Sequence, residues 1–140
     1  MTNRITDSEC SHLVALLKAM LMEAGLGAWE IEPWLMKAAA RVALDHRDNT
    51  GAYFVAYLDG HPVGMAGAQL HHHHAFLSLK TGRYGRVVDE YVLPAHRGCG
   101  LEQQLRADAL AWLVQSGAPV LHSTPPNVAR LNAHCYGGKL

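Results

Sequence analysis

"EYVLPAHRGCGLEQQL", residues 90–105, carries an apolar strand-like run, a glycine loop and the start of a helix in direct succession. Tyr91, Val92 and Leu93 read as a buried strand that Pro94 stops. Arg97, Gly98 and Gly100 follow as a loop. From Gly100 the period changes: Leu101, Leu105, Ala109, Trp112 and Leu113 mark a helix that Gly117 ends. The first amides of a helix have no partner inside it and carry the positive end of its dipole. Glycines let the backbone curl close to an anion, so this loop has the layout of a phosphate site, with Arg97 able to add charge at its rim. It is neither G-x-x-x-x-G-K-[ST] nor G-x-G-x-x-G, which argues against P-loop and dinucleotide binding. Taken alone, the loop reads equally well as a plain turn.

Working outward, the 140 residues fit a single domain, 1–140, long enough to bury a core. Apolar residues make up 49%, and 12 Lys and Arg balance 12 Asp and Glu, so charge gives no reason to expect nucleic acid or a membrane surface. Cys10, Cys99 and Cys135 are odd in number and widely spaced, which suits reduced thiols. The N-terminus is polar with no signal-peptide core, and "LVALLKAMLM" is too short to span a bilayer. A cytoplasmic protein is expected.

Thr6 to Glu9 has capping-box spacing before an amphipathic helix over Leu13, Leu16, Leu17, Met20, Leu21 and Ala24, stopped by Gly25 and Gly27. A second helix is expected to start near Pro33, with Leu35, Ala38, Ala39, Val42 and His46 on one face, and to end in "DHRDNTG". Two β-rich runs flank Asp59-Gly60, a strong hairpin signal, and Gly64 and Gly67 suggest a bulge or a close backbone approach. A strand from the histidine run, a turn over Thr81 to Gly85 and the strand ending at Leu93 complete an antiparallel meander. "APVLHS" is a short strand reached by a helical crossover, hence parallel to the strand ending at Leu93. A last helix is expected around Asn127 to Tyr136.

This order of elements, with "VAYLDGHPVGMA", "DEYVLPAHRGCGL" and "GAPVLHSTPPNVARLNAHCY", resembles the GCN5-related N-acetyltransferase (GNAT) family through nearly the whole chain. The middle segment is similar to the family's acetyl-CoA motif, R-x-x-G-x-G or R-x-x-G-x-A. The resemblance implies an α/β acyl-CoA N-acyltransferase fold: a mixed, mostly antiparallel sheet flanked by helices. It implies acetyl transfer from acetyl-CoA to a primary amine, on a small molecule or a peptide. The backbone of Tyr91, Val92 and Leu93 would pair with the pantetheine arm. The amides of Arg97, Gly98, Cys99, Gly100 and Leu101 would take the pyrophosphate, with Asn127 helping to hold the cofactor. Direct attack by the amine needs a base and a group to protonate the thiolate. Asp89 and Glu90 fall on opposite faces of their strand, so only one looks into the cleft; Glu90 is favoured as base and Tyr136 as acid.

The sequence departs from the family at three places. Glu102 stands where Gly or Ala is usual, so it either crowds the diphosphate or tilts outward and favours the helix dipole. Asn127 and Tyr136 are nine residues apart rather than seven, which leaves His134 as the other acid. The chain stops at "CYGGKL", short of the family's last two strands, and an exposed edge invites pairing with a second copy. The alternative function is a non-catalytic GNAT-like module that binds CoA weakly or a protein partner.

His71 to His74 would place two imidazoles on each face of a strand, short of the three fixed ligands a catalytic zinc needs. No metal is expected; a run facing the cleft would shape the acceptor site or shuttle a proton. Cys99 has His96 near it but no third group to orient a base, which argues against an acyl-cysteine intermediate. Trp29, Trp34 and Trp112 are expected in the core or lining a groove.

Overall fold

The computed structural model describes residues 2–4, 9–72 and 83–121. Four strands pair in chain order, all antiparallel: β1 (Thr2–Arg4), β2 (Gly51–Leu58), β3 (His61–His72) and β4 (Arg83–Val92). Helices α1 (Cys10–Glu23) and α2 (Ala28–Asp48) cover one face of this sheet, and α3 (Leu101–Ser116) covers the other. The α/β architecture expected from the sequence is therefore present. Val120 forms a parallel bridge to Gly85, with the Gly85 N–H donating to the Pro119 carbonyl at 2.8 Å. The crossover through α3 thus returns the chain parallel to β4, as expected from the sequence.

Two apolar layers follow from the two-residue period of the strands. On the α3 side, Ala52, Phe54, Ala66, Ala68, Leu70 and Val92 meet Leu105, Ala109 and Leu113. On the other side, Tyr53, Val55 and Met65 meet Leu13, Leu16 and Leu17 of α1 and Ile31, Leu35 and Val42 of α2. The β2–β3 turn is the Asp59-Gly60 hairpin, with both residues at positive φ (50° and 78°).

Three expectations are corrected. Helix α2 starts at Ala28, not near Pro33, because the Glu30 carboxylate accepts the Gly27 N–H at 3.3 Å and caps the turn upstream; Pro33 is carried inside the helix. Residues 83–85 belong to β4 rather than to a turn. Gly85 is there for a close approach: a Cβ would lie 2.6 Å from Leu113 Cδ2. Trp29 and Trp34 stand exposed on α2 (79% and 43%), not in the core, while half-buried Trp112 lies under the Arg4 guanidinium at 5.9 Å. Strand β1 is an addition, its Thr2 hydroxyl donating to Asp108 of α3. Glu9 holds the α1 N-cap with no side-chain capping bond; Thr6 to Ser8, and the last helix around 127–136, lie outside the described residues. No helix among the described residues is long and apolar enough to cross a membrane.

Candidate active site

The β3–β4 ladder breaks once. Gly64 pairs with Val92 and Met65 with Tyr91, but Gly67 pairs with Val88, so Asp89 and Glu90 together stand opposite Ala66. This is a bulge, one extra residue in β4, and Asp89 takes the left-handed conformation it needs (φ 53°). Aspartate is among the few non-glycine residues that enter that region at tolerable cost. The bulge turns the two carboxylates to opposite sides. Glu90 is exposed on the α3 side, where Arg106 Nη1 donates to Oε1 at 2.6 Å. Asp89 faces the α1–α2 side, where the Tyr53 hydroxyl donates to Oδ2 at 2.5 Å.

Burial holds the Asp89 carboxyl above the usual carboxylate range, and the Tyr53 bond pulls it partly back. The Tyr53 phenol is driven up by its own burial first and by the Asp89 charge second. The phenol reaches Asp89 by crossing Gly67: a Cβ there would sit 2.6 Å from Tyr53 Cε1. The Tyr53–Asp89 pair was not anticipated from the sequence. Its partners are 36 residues apart and meet only through the register of two strand pairs.

Downstream of the bulge, the Leu93 N–H closes the ladder on the Val63 carbonyl at 2.8 Å. A short 3₁₀ turn (Pro94–His96) leads into the glycine loop, where Gly98 and Gly100 have φ of 82° and 91°. Only glycine enters these values without strain. The amides of Cys99, Gly100 and Leu101 have no backbone partner among the described residues, so they are available to an anion. The Gly98 amide is not: it donates to Glu102 Oε1 at 3.2 Å. Arg97 does not stand free at the rim. Its Nε donates to the Val92 carbonyl at 2.9 Å, its Nη2 reaches Glu23 Oε2 at 2.7 Å, and its guanidinium lies 5.6 Å from the Tyr91 ring. Arg97 thus ties the loop to the end of α1. Asn127, His134 and Tyr136 lie outside the described residues, as do His73 and His74. Among the described residues no group of three His, Cys, Asp or Glu side chains is arranged to hold a metal.

A bulged strand feeding a glycine loop and a helix N-terminus is set in a chain whose residues 15–135 match the acetyltransferase (GNAT) family model. The chain belongs to the GNAT family. Solved GNAT-fold structures superpose on nearly all of it. A GCN5-related N-acetyltransferase from Ralstonia eutropha is 20% identical, with a TM-score of 0.73 over 96% of this chain and 89% of that one. A predicted acetyltransferase from Clostridium acetobutylicum, solved with acetyl-CoA, is 17% identical, with a TM-score of 0.74 over 98% and 88%. The aminoglycoside acetyltransferase AAC(6')-Iy, in complex with a CoA-linked bisubstrate analogue, is 18% identical, with a TM-score of 0.69 over 100% and 90%. A search of curated proteins found no match. Within this GNAT chain, the bulge at Asp89 lies on the strand that leads through Pro94–His96 into the glycine loop.

Proposed function

We propose that this protein, a single cytoplasmic domain over residues 1–140, moves an acetyl group from acetyl-CoA to a primary amine. The observation that carries the reading is the Asp89 bulge, held by Tyr53, on the strand that runs directly into the glycine loop. Acetyl-CoA lies along β4: the pantetheine arm pairs with the backbone of Tyr91 to Leu93, and the pyrophosphate takes the amides of Cys99, Gly100 and Leu101. These form the positive end of α3, where an anion is stabilised without a side-chain charge. Asn127 and Tyr136 keep the roles the family resemblance gives them, cofactor contact and thiolate protonation.

The base is Asp89 rather than Glu90. Glu90 is engaged with Arg106 on the far side of the sheet, whereas Asp89 faces the helices that border the acceptor. A carboxylate raised by burial is a better match to an ammonium proton than one in water, and the Tyr53 bond fixes its direction. The amine nitrogen attacks the thioester carbonyl carbon, its proton passes to Asp89 directly or through water, and the CoA thiolate leaves. The test is single-turnover CoA release over a panel of amines, comparing wild type with Asp89→Asn and Glu90→Gln. Loss of transfer in the first variant alone supports the assignment; loss in the second alone returns it to Glu90.

One observation favours a second reading, a module that binds CoA weakly. The Glu102 carboxylate occupies the Gly98 amide and puts negative charge beside the diphosphate position. Absence of acetyl-CoA binding in wild type, with binding restored in Glu102→Ala, would support that reading. A second copy of the chain pairing at a sheet edge is proposed with either function; a monomer in light scattering at high concentration would exclude it.

A further inference from the structure

Beyond Asp89, the α1–α2 face of the sheet continues as a polar floor. The register pairs Gln69 with Arg86 and His71 with Tyr84. Leu70 and Gly85, between them, face α3, since Leu70 lies in that core and a Cβ on Gly85 would strike Leu113. Strand alternation therefore puts Tyr84, Arg86, Gln69 and His71 on the same side as Asp89. His71 and Tyr84 stack with ring centroids 5.4 Å apart at 24°. His71 Nε2 is buried and has no hydrogen-bond partner among the described residues.

Both carboxylates on this floor are already engaged. Asp45, 2% exposed, takes the Arg41 guanidinium through Nε at 3.2 Å and the Thr50 hydroxyl at 2.8 Å, so its charge is already matched. Asp89 is engaged by Tyr53. Arg86 is half-buried and pairs with no carboxylate among the described residues. A half-buried guanidinium with no carboxylate paired to it among the described residues is the residue type suited to gripping a carboxylate or phosphate in two-pronged fashion. Arg86 stands three residues from Asp89, roughly 10 Å along an extended strand.

Resting on the acetyl-transfer reading, we propose that the acceptor is an amine bearing an anionic group, its amine at Asp89 and its carboxylate or phosphate held by Arg86. A polycationic amine would set its charges against Arg86 and is disfavoured. His71, stacked on Tyr84 and with Nε2 unpartnered among the described residues, stands on the same floor beside Arg86.

The test uses matched probes titrated into the full chain, with and without acetyl-CoA: γ-aminobutyrate and ε-aminocaproate, each beside its primary amide, and O-phosphoethanolamine beside ethanolamine. At least one acid is expected to bind about tenfold or more tightly than its partner lacking the anionic group; the carboxylate and phosphate arms identify which anion is preferred. In Arg86→Gln the preference should shrink to about twofold or less with acetyl-CoA binding unchanged, and Arg86→Lys should restore part of it. Equal binding within every pair, no measurable binding of any acid, or a preference that survives in Arg86→Gln overturns the proposal. Because the pairs are also read without cofactor, failure to bind acetyl-CoA counts against acetyl transfer and leaves the anion preference separately decided.

Discussion

At Asp89 two demands oppose each other under the proposed mechanism: a base must ionise to take a proton, and the surroundings of this carboxyl resist the charge. Its folded-state pKa is raised by burial, so it favours the protonated form relative to the unfolded chain. Whatever stability that protonated carboxyl contributes is complete below the unfolded value and is lost as pH rises through the folded one. At neutral pH, Asp89→Asn should therefore melt at a temperature no lower than wild type while transfer falls by about 100-fold or more. The acid limb of the rate profile should lie above the ordinary aspartate range. The Tyr53 bond lowers the Asp89 pKa, so Tyr53→Phe should move that limb to higher pH, a shift read directly from rates against pH. Glu90→Gln breaks only a half-exposed pair with Arg106, worth under about 1 kcal/mol, and should leave transfer within about threefold of wild type. At Glu102 the trade is different. Replacing it with Ala frees the Gly98 amide and removes a repelling charge, so acetyl-CoA should bind about tenfold more tightly by calorimetry. The same change removes a loop-capping bond and should lower stability by about 0.5–1 kcal/mol.

Among the elements, β4 does most to place chemistry, and its logic was only partly legible. Its end at Pro94, the glycine loop and the helix from Leu101 are all written locally, and each stands where the sequence put it. The division of Asp89 and Glu90 between faces was also legible from alternation. Which face was which was not, because the bulge that sets it sits on an aspartate rather than on a glycine that would have marked it. Gly67 was legible as a close approach, but not as clearance for Tyr53, since that needs the register of three strands. Gly67→Ala should push the phenol off Asp89 and destabilise the fold by about 1–3 kcal/mol, measured as a lower melting temperature together with the same high-pH shift as Tyr53→Phe. The misplaced start of α2 has a comparable cause. Pro33 suits a first turn, yet Gly27 and Glu30 already cap an earlier one, and an exposed proline early in the helix is carried along. Strand β1 escaped notice because three residues give no period to detect.

Across the whole molecule, the sheet separates two tasks. The α3 face is packed with apolar side chains, while the α1–α2 face passes from an apolar floor near Val55 and Met65 to the polar one at Asp89, Arg86 and His71. Arg97 joins the loop to α1 through Glu23, linking the glycine-loop end of β4 to the helices on the Asp89 side of the sheet. If this tether is its role, Glu23→Gln should not strengthen acetyl-CoA binding, as it would were Arg97 a phosphate ligand held in reserve. The most direct test of the whole proposal is a calorimetric titration of acetyl-CoA, with CoA alongside, into the 140-residue protein and its Gly100→Glu variant. Micromolar binding in wild type and its loss in the variant are expected, because any side chain at φ 91° strains the loop and a carboxylate there repels the diphosphate. No binding up to millimolar acetyl-CoA, or equal binding by the two proteins, would contradict a cofactor site at the glycine loop.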